Sequence, residues 1–544
     1  MQMKGRNERS NSSMFREKPT HPCVWLELVL VLSLAGCGHI SETSEHRLDQ
    51  LDQRIETLYR QGQYSDALPL AKESLLLHEQ NLPANPQRLA KSLTRLAAIY
   101  VKQDRLEEAE PLYRQALGIR ETSLGAKHPQ VADSLNTIAA LYEIQGRKEE
   151  AESFYRRAVK IWEEGLGHHD PKVAMGLANI AALNETQGRY QKAISYYAQV
   201  LAIQEHTLGP EHHHVATSLN NLASLYEVLG QYDDAEEFYL RAFHIYKKAF
   251  GHHSAQAATS YHHLGALYDS LARYKEAETH YQQALNIREK LFGPESLETA
   301  HSLFSLATLY HVRGQNALAE PLHQRALAIR EATLTPGHPE ITQSLNSLAL
   351  LLQNQGRETE AETLYKRALA TREKVLGGEH PDVAQSLNNL GGLYYYQGRY
   401  KEAQPLFKRA LTIRRQALGP RHPEVAQSLN NLAGLHHAFG HEKEAEQLYQ
   451  RALTIQREAL GGHHAAVATT LNNLGALYLA QKQFKQAEPL FKEALMIRLK
   501  LYGKDHPHVA TSLRHFAALL RQTQRTTLAK KFDARADIIE GIHK

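Results

Sequence analysis

The chain has little cysteine, little net charge and no long hydrophobic run. Only two of its 544 residues are cysteine, Cys23 and Cys37, which excludes a disulfide framework and a multi-cysteine zinc site. Lys+Arg 63 against Asp+Glu 59 leave a net charge of +4, too small an excess over this length to predict a nucleic-acid partner. The one strongly apolar stretch, 24–36, is shorter than the roughly 20 residues that a transmembrane helix needs.

That apolar stretch has the layout of a secretory signal. Arg16 and Lys18 precede it, and Leu34-Ala35-Gly36-Cys37 ends it; a basic flank, a short apolar core and small residues are typical of a segment that directs secretion. The last four residues resemble the lipobox of bacterial lipoproteins.

The lipobox resemblance implies a domain division and a location. Residues 1–36 would be a signal peptide, Cys37 would carry lipid, and residues 37–46 would be a short linker. Gly38 after the cysteine implies an outer-membrane anchor facing the periplasm, with the membrane reached through the lipid alone. If the signal is not used, the protein is expected in the cytoplasm.

Residues 47–544 consist of one unit of 42 residues repeated twelve times. A Leu-Gly pair recurs at this spacing, as at Leu124-Gly125 and Leu166-Gly167, and a second glycine such as Gly146 recurs in the middle of the unit. A repeat of this length predicts a stacked array rather than separate domains. No segment remains for a catalytic domain, so we predict a non-enzyme without a cofactor.

The apolar pattern of each repeat predicts two helices. In the third repeat, Leu135, Ile138, Ala139 and Tyr142 share one helical face, and Gly146 follows where a left-handed residue would end the helix. Because one helix pair cannot bury its apolar face alone, stacked pairs must share a continuous core. The pattern predicts an all-α solenoid.

The pattern resembles the tetratricopeptide repeat, and its length resembles the kinesin light chain class of that repeat. The residues that carry the resemblance are Leu387, Leu390, Gly391, Tyr394, Ala403, Phe407 and Ala410. The resemblance implies a right-handed superhelix whose concave groove binds extended peptide segments of protein partners. It therefore implies a protein-interaction scaffold.

The unpacked face of the first helix is the candidate binding site. Residues at i, i+4 and i+7, such as Asn388, Gly392 and Tyr395, share a stripe on this face. Asparagine amides both donate and accept hydrogen bonds, so they suit a peptide backbone; the alternative is that they bond to neighbouring helices and order the array. The predicted site residues are Asn136, Asn220, Asn346, Asn388, Gly392, Tyr395, Asn430, Gly434, His437 and Asn472.

The 32 histidines do not predict a metal site. Many occupy one loop position in successive repeats, as His380, His422 and His464 do. Equivalent residues lie about 10 Å apart in packed helices, whereas zinc ligands lie about 2 Å from the metal. Two rival functions remain at this stage: assembly by self-association of the array, and a metal- or substrate-binding factor.

Overall fold

The computed structural model describes residues 42–80 and 85–542, and within these ranges every regular element is an α-helix. The signal peptide and Cys37 predicted above lie outside the described residues. The helices are α1 Glu42–Arg60, α2 Tyr64–Gln80, α3 Pro86–Lys102, α4 Leu106–Leu124, α5 Pro129–Ile144, α6 Lys148–Leu166, α7 Pro171–Thr186, α8 Tyr190–Leu208, α9 His213–Val228, α10 Tyr232–Phe250, α11 Ala255–Ser270, α12 Tyr274–Phe292, α13 Leu297–Val312, α14 Asn316–Thr333, α15 Pro339–Asn354, α16 Glu358–Leu376, α17 Pro381–Tyr396, α18 Tyr400–Leu418, α19 Pro423–Ala438, α20 Glu442–Leu460, α21 Ala465–Ala480, α22 Phe484–Tyr502, α23 Pro507–Gln522 and α24 Thr526–Ile542.

The chain divides into an N-terminal body that ends at Leu112 and a C-terminal body that begins at Tyr113. In the N-terminal body, α1 packs on α2 and α2 on α3. In the C-terminal body, each helix from α5 to α24 packs on the next one along the chain. This order of neighbours is that of stacked helix-turn-helix repeats, so the predicted all-α solenoid class is confirmed.

The mid-repeat glycine ends the first helix of each pair through a left-handed turn. At Gly146 φ is 74°, and the amide of Arg147 donates to the Tyr142 carbonyl at 2.8 Å, which satisfies a carbonyl at the helix end. Four repeats hold the same turn without glycine, with positive φ at Asp104, Ala272, Lys482 and Gln524.

We expect Lys482→Gly to stabilise the array. Lys482 is exposed and has a φ of 58°, a conformation that is unfavourable for a residue with a Cβ. Relief of this strain, less the entropy of the added glycine, should raise the free energy of unfolding by about 0.5–1 kcal/mol. Urea unfolding would measure the change. Gly440→Ala, the reverse exchange in the preceding repeat, should lower it; an unchanged midpoint in both variants would contradict the strain.

Small and large side chains interlock in the core. A Cβ built on Gly391 would approach Phe407 Cε1 to 2.8 Å, and one on Gly475 would approach Phe491 Cε1 equally closely. Small residues of the second helix, such as Ala403 and Ala410, have no exposed surface. In these two repeats the glycine in the first helix leaves room for the phenylalanine ring of the second.

Buried arginines join consecutive repeats. Arg414 on α18 has 0% of its surface exposed, and its Nη1 donates to Ser428 Oγ at 3.0 Å and to the Glu424 carbonyl at 3.1 Å on α19. The same Arg-to-Ser bond, fourteen residues along the chain, recurs in other repeats of the C-terminal body: Arg120–Ser134, Arg288–Ser302, Arg330–Ser344, Arg372–Ser386 and Arg498–Ser512. Each bond links a second helix to the first helix of the next repeat.

The histidines that recur in the loop position are helix caps. The Nδ1 atom of His464 accepts the Ala466 amide at 3.0 Å, which satisfies one free N–H at the start of α21. The same bond is formed by His128, His212, His338, His380, His422 and His506. The repeated histidines therefore start helices, as their common register indicated.

Some of these caps also join repeats that are distant in sequence. His464 Nε2 lies 2.8 Å from the Val228 carbonyl, and His506 Nε2 lies 3.3 Å from the Ser270 carbonyl, each 236 residues away. The rings of Tyr232 and Tyr502 stack at 5.7 Å beside these contacts. Within the C-terminal body, the array thus returns to contact itself after between five and six repeats.

We expect mild acid to destabilise the junction at His464, because a proton on Nδ1 would break the cap to Ala466 and charge a buried ring, although the bond from Nε2 to Val228 would remain. Nδ1 accepts a bond, so the ring is neutral with its proton on Nε2, which donates to the carbonyl. Burial lowers the pKa of His464 in the folded protein, so the unfolded chain binds a proton more readily. Stability from this group is complete above about pH 6.5 and falls as the pH drops below that value.

Hydrogen exchange at pH 7.5 and 5.5 would test this expectation. After correction for intrinsic exchange rates, amides near 228–230 and 464–468 should lose protection at the lower pH. The cap at His128 provides the internal comparison, since no bond to a distant repeat is described for it. Equal loss of protection at the His128 and His464 caps would contradict an effect specific to His464.

Candidate functional site

The stripe defined from the sequence forms a continuous surface in the C-terminal body. From α11 onward consecutive first helices lie side by side, as α11 does with α13 and α17 with α19. Before α11, side-chain hydrogen bonds join α5 to α7 and α9 to α11. Their stripe residues therefore form parallel rows, one residue per repeat in each row. The first row contains the predicted asparagines, and the third contains Glu143, Glu185, Glu227, Asp269, His311, Gln353, Tyr395, His437 and Leu479.

Two of the predicted asparagines are almost completely buried. Asn388 is 7% exposed and Asn472 is 2% exposed. Their Nδ2 atoms donate to the next repeat, from Asn388 to Ser428 Oγ at 3.4 Å and from Asn472 to Ser512 Oγ at 3.1 Å. These two amides order the array, which was the alternative role considered for them.

The other predicted asparagines are half-buried. Asn136 Oδ1 accepts from Asn179 at 2.9 Å, and Asn430 Oδ1 accepts from Asn473 at 3.1 Å, so both also bond to the next repeat. The Oδ1 atoms of Asn220 and Asn346 are enclosed and have no hydrogen-bond donor among the described residues, as is also true of the Oδ1 atoms of Asn388 and Asn472. The first row is thus mainly a bonded ladder with unsatisfied acceptors at a few positions.

Asn430→Ala separates the two roles of this row. Loss of the acceptor for Asn473 should lower the free energy of unfolding by about 1 kcal/mol. A thermal melt would measure the loss, and a peptide-binding assay would be run alongside it. Unchanged stability with weakened binding would show that the amide serves a ligand instead.

Glycines and aromatic residues give the stripe of repeats nine and ten its open space. A Cβ built on Gly392 would meet no atom within 4 Å, whereas one on Gly434 would lie 3.7 Å from the hydroxyl oxygen of Tyr395. Tyr395 is 38% exposed, and His437 Nδ1 lies 3.1 Å from Glu442 Oε2. Tyr395 therefore extends across the stripe towards the next repeat, with room beside it at Gly392.

The third row begins with four carboxylates in consecutive repeats: Glu143, Glu185, Glu227 and Asp269. All four are half-buried. Burial raises the pKa of Glu185 and Glu227, and it raises the pKa of Asp269 to about 6. The 42-residue register of the sequence contains all four positions, although the predicted site residues include none of them.

Two further features of residues 42–80 and 85–542 concern metal ions and the membrane. Nowhere in these ranges do three or more His, Cys, Asp or Glu side chains come close enough together to hold a metal ion. In the same ranges, no helix combines the length and the apolar character needed to cross a membrane.

The chain belongs to the tetratricopeptide repeat family. The family pattern matches residues 50–121, 88–164, 172–248, 215–290, 256–332, 340–416, 382–458, 443–500 and 466–536. This confirms the resemblance inferred from the sequence. No curated protein matches the chain.

Several solved structures are similar to parts of the chain. One is a kinesin light chain of Podosopora anserina with nearly identical TPR-like repeats, at 29% identity over 37% of this chain and 94% of that one, with a TM-score of 0.32. Another is a Rap protein complexed with competence and sporulation factor, at 16% identity over 76% of this chain and 99% of that one, with a TM-score of 0.45.

Proposed function

We propose that the protein is a non-enzymatic scaffold that binds an extended peptide segment of a partner protein along the stripe. The observation that carries this proposal is the open, partly polar surface of the first helices. Gly392 leaves clearance, and Tyr395 offers an exposed aromatic face. An aromatic face supplies contact area with little loss of side-chain entropy.

A displayed library of twelve-residue peptides would test the proposal. The full chain would be compared with Ala182→Trp and Gly392→Trp, which place bulk on the stripe in repeats four and nine. Lys408→Trp puts the same side chain on the exposed face of a second helix. Selected peptides should bind wild type and Lys408→Trp equally and lose at least tenfold with one of the stripe variants, provided circular dichroism shows that each variant is folded.

Two results would overturn the proposal. Equal binding to all three tryptophan variants would mean that peptides bind away from the stripe. A library that yields no enriched peptide would mean that the stripe is not a peptide site.

We further propose that Cys37 is lipidated and that the protein is anchored to the bacterial outer membrane. The support is the sequence Leu34-Ala35-Gly36-Cys37 after a short apolar core. Metabolic labelling with a fatty-acid probe should mark wild type and not Cys37→Ser, and wild type should fractionate with the outer membrane. Equal labelling of both proteins would refute lipidation at Cys37, and recovery of wild type in the cytoplasm would refute the location.

A further inference from the structure

The four carboxylates at the start of the third row lack cationic partners. Among the described residues, no lysine, arginine or histidine forms an ion pair with Glu143, Glu185, Glu227 or Asp269. Glu143 accepts from the Tyr155 hydroxyl at 3.1 Å, and Glu227 accepts from the Tyr239 and Ser270 hydroxyls, each at 3.3 Å. The row is therefore a line of half-buried negative charges bonded only to neutral groups.

Such a row is exceptional in this chain. The acidic side chains of the second helices are commonly paired across repeats, as Glu236 is with Arg273 and Glu362 with Arg399. Burial of a carboxylate without a cation is unfavourable, and the raised pKa of Asp269 is a consequence of that cost. A cation supplied from outside the chain would offset it.

A second feature on the same helix face is an unsatisfied polar atom. His262 occupies the first row of the stripe on α11, seven residues before Asp269, and its Nδ1 is enclosed by protein without a hydrogen-bond partner. Burial, followed by the charge of Arg288, lowers the pKa of His262 to about 3. The ring is thus neutral and does not compensate the charge of the carboxylates.

The spacing of the row indicates the form of the ligand. Neighbouring packed helices lie about 10 Å apart, so consecutive carboxylates are too far apart to share one ion. An extended chain in the polyproline II conformation advances about 3.1 Å per residue with three residues per turn, so three residues span about one repeat and every third side chain lies on the same side of the chain. Cationic side chains at every third position of an extended peptide would meet successive carboxylates.

We propose that repeats three to six bind an extended peptide segment that carries lysine or arginine at every third position. This inference rests on the proposed function, and it specifies the chemistry of the peptide that the stripe binds. Beyond repeat six the third row contains no acidic residue, since it continues with His311, Gln353 and Tyr395. The basic part of the ligand should accordingly be limited to about four cationic residues, followed by neutral or aromatic ones.

Two fluorescein-labelled synthetic peptides of twelve residues would test the proposal. Both contain four arginines among serine and valine, in one peptide at every third position and in the other consecutively. Fluorescence anisotropy with the full chain should show at least tenfold tighter binding of the periodic peptide. Equal binding of the two would reduce the effect to net charge and overturn the inference.

A matched pair of double variants identifies the carboxylates responsible. Glu185→Gln with Asp269→Asn removes two charges from the row, and Glu149→Gln with Glu458→Gln removes two exposed charges elsewhere. The first pair should weaken binding of the periodic peptide at least tenfold, and the second should change it less than twofold. Removal of buried, unpaired charges should also raise the melting temperature of the first pair, so lost binding would not reflect unfolding. Equal effects in both pairs would overturn the inference.

The library selection distinguishes this inference from the function on which it rests. If stripe-dependent peptides are selected but lack the basic period, and the periodic peptide fails to bind, the inference is wrong and the peptide scaffold stands. If neither the library nor the synthetic peptides bind, both proposals fail.

Discussion

Tyr394→Ala is expected to destabilise the C-terminal body by about 3–5 kcal/mol, the usual cost of truncating a buried aromatic side chain. The ring is buried in the core cluster that contains Leu390 and Phe407. Its hydroxyl donates to Glu362 Oε1 at 2.9 Å, and the Arg399 guanidinium lies 4.0 Å from the ring centroid. The substitution therefore removes apolar contacts, a charge-assisted bond and a cation–π contact together.

The loss should be local, because each repeat contacts only its neighbours. Hydrogen exchange should show opening of repeats eight to ten before the ends of the array. Tyr394→Phe keeps the ring and should cost only about 1 kcal/mol, the value of the hydroxyl bond. Simultaneous opening of every repeat in the alanine variant would contradict a modular array.

The pairing of helices could be predicted because it depends on local and periodic features. The 42-residue period identifies equivalent positions, and the glycine register identifies where first helices end. Lys482 shows the limit of this reasoning, since it adopts a left-handed conformation that its side chain does not favour. There the surrounding repeats impose the turn.

The roles of polar residues were harder to predict, because a period shows equivalence but not which atoms meet. Asn388 and Asn472 belong to the predicted stripe, yet both are buried against a serine of the next repeat. The contact between His464 and Val228 depends on small rotations accumulated over several repeats, which no local pattern encodes. The sequence register shows that the four carboxylates occupy equivalent positions. Only the structure shows that no cationic side chain among the residues it describes pairs with them.

The position of Arg414 shows what the equivalence of residues between repeats can predict once the contacts of one repeat are known. The position of Arg414 is occupied by Gln204 and Gln456 in two other repeats. In those repeats the glutamine Oε1 accepts from the next first helix, from Ser218 at 2.7 Å and Thr470 at 2.8 Å. Either a cationic donor or a neutral acceptor can therefore link two repeats, because the hydroxyl at the far end both donates and accepts.

Arg414→Ala should accordingly cost about 3–5 kcal/mol, since it empties a fully buried site and breaks an ion pair. Nε lies 3.1 Å from Glu424 Oε2, and Nη2 donates to Gln385 Oε1 at 2.6 Å. Burial lowers the pKa of the guanidinium, so the charge itself is costly and its removal recovers part of the loss. Arg414→Gln should cost less than half as much as alanine, because glutamine fills more of the site and can bond to Ser428.

Denaturant unfolding of the two variants, combined with hydrogen exchange across α18 and α19, would measure this difference. Protection should fall at the junction of repeats nine and ten in the alanine variant and be largely retained in the glutamine variant. If the two substitutions destabilise equally, the link requires the cation itself, and the glutamines of other repeats would then mark weaker junctions in the array.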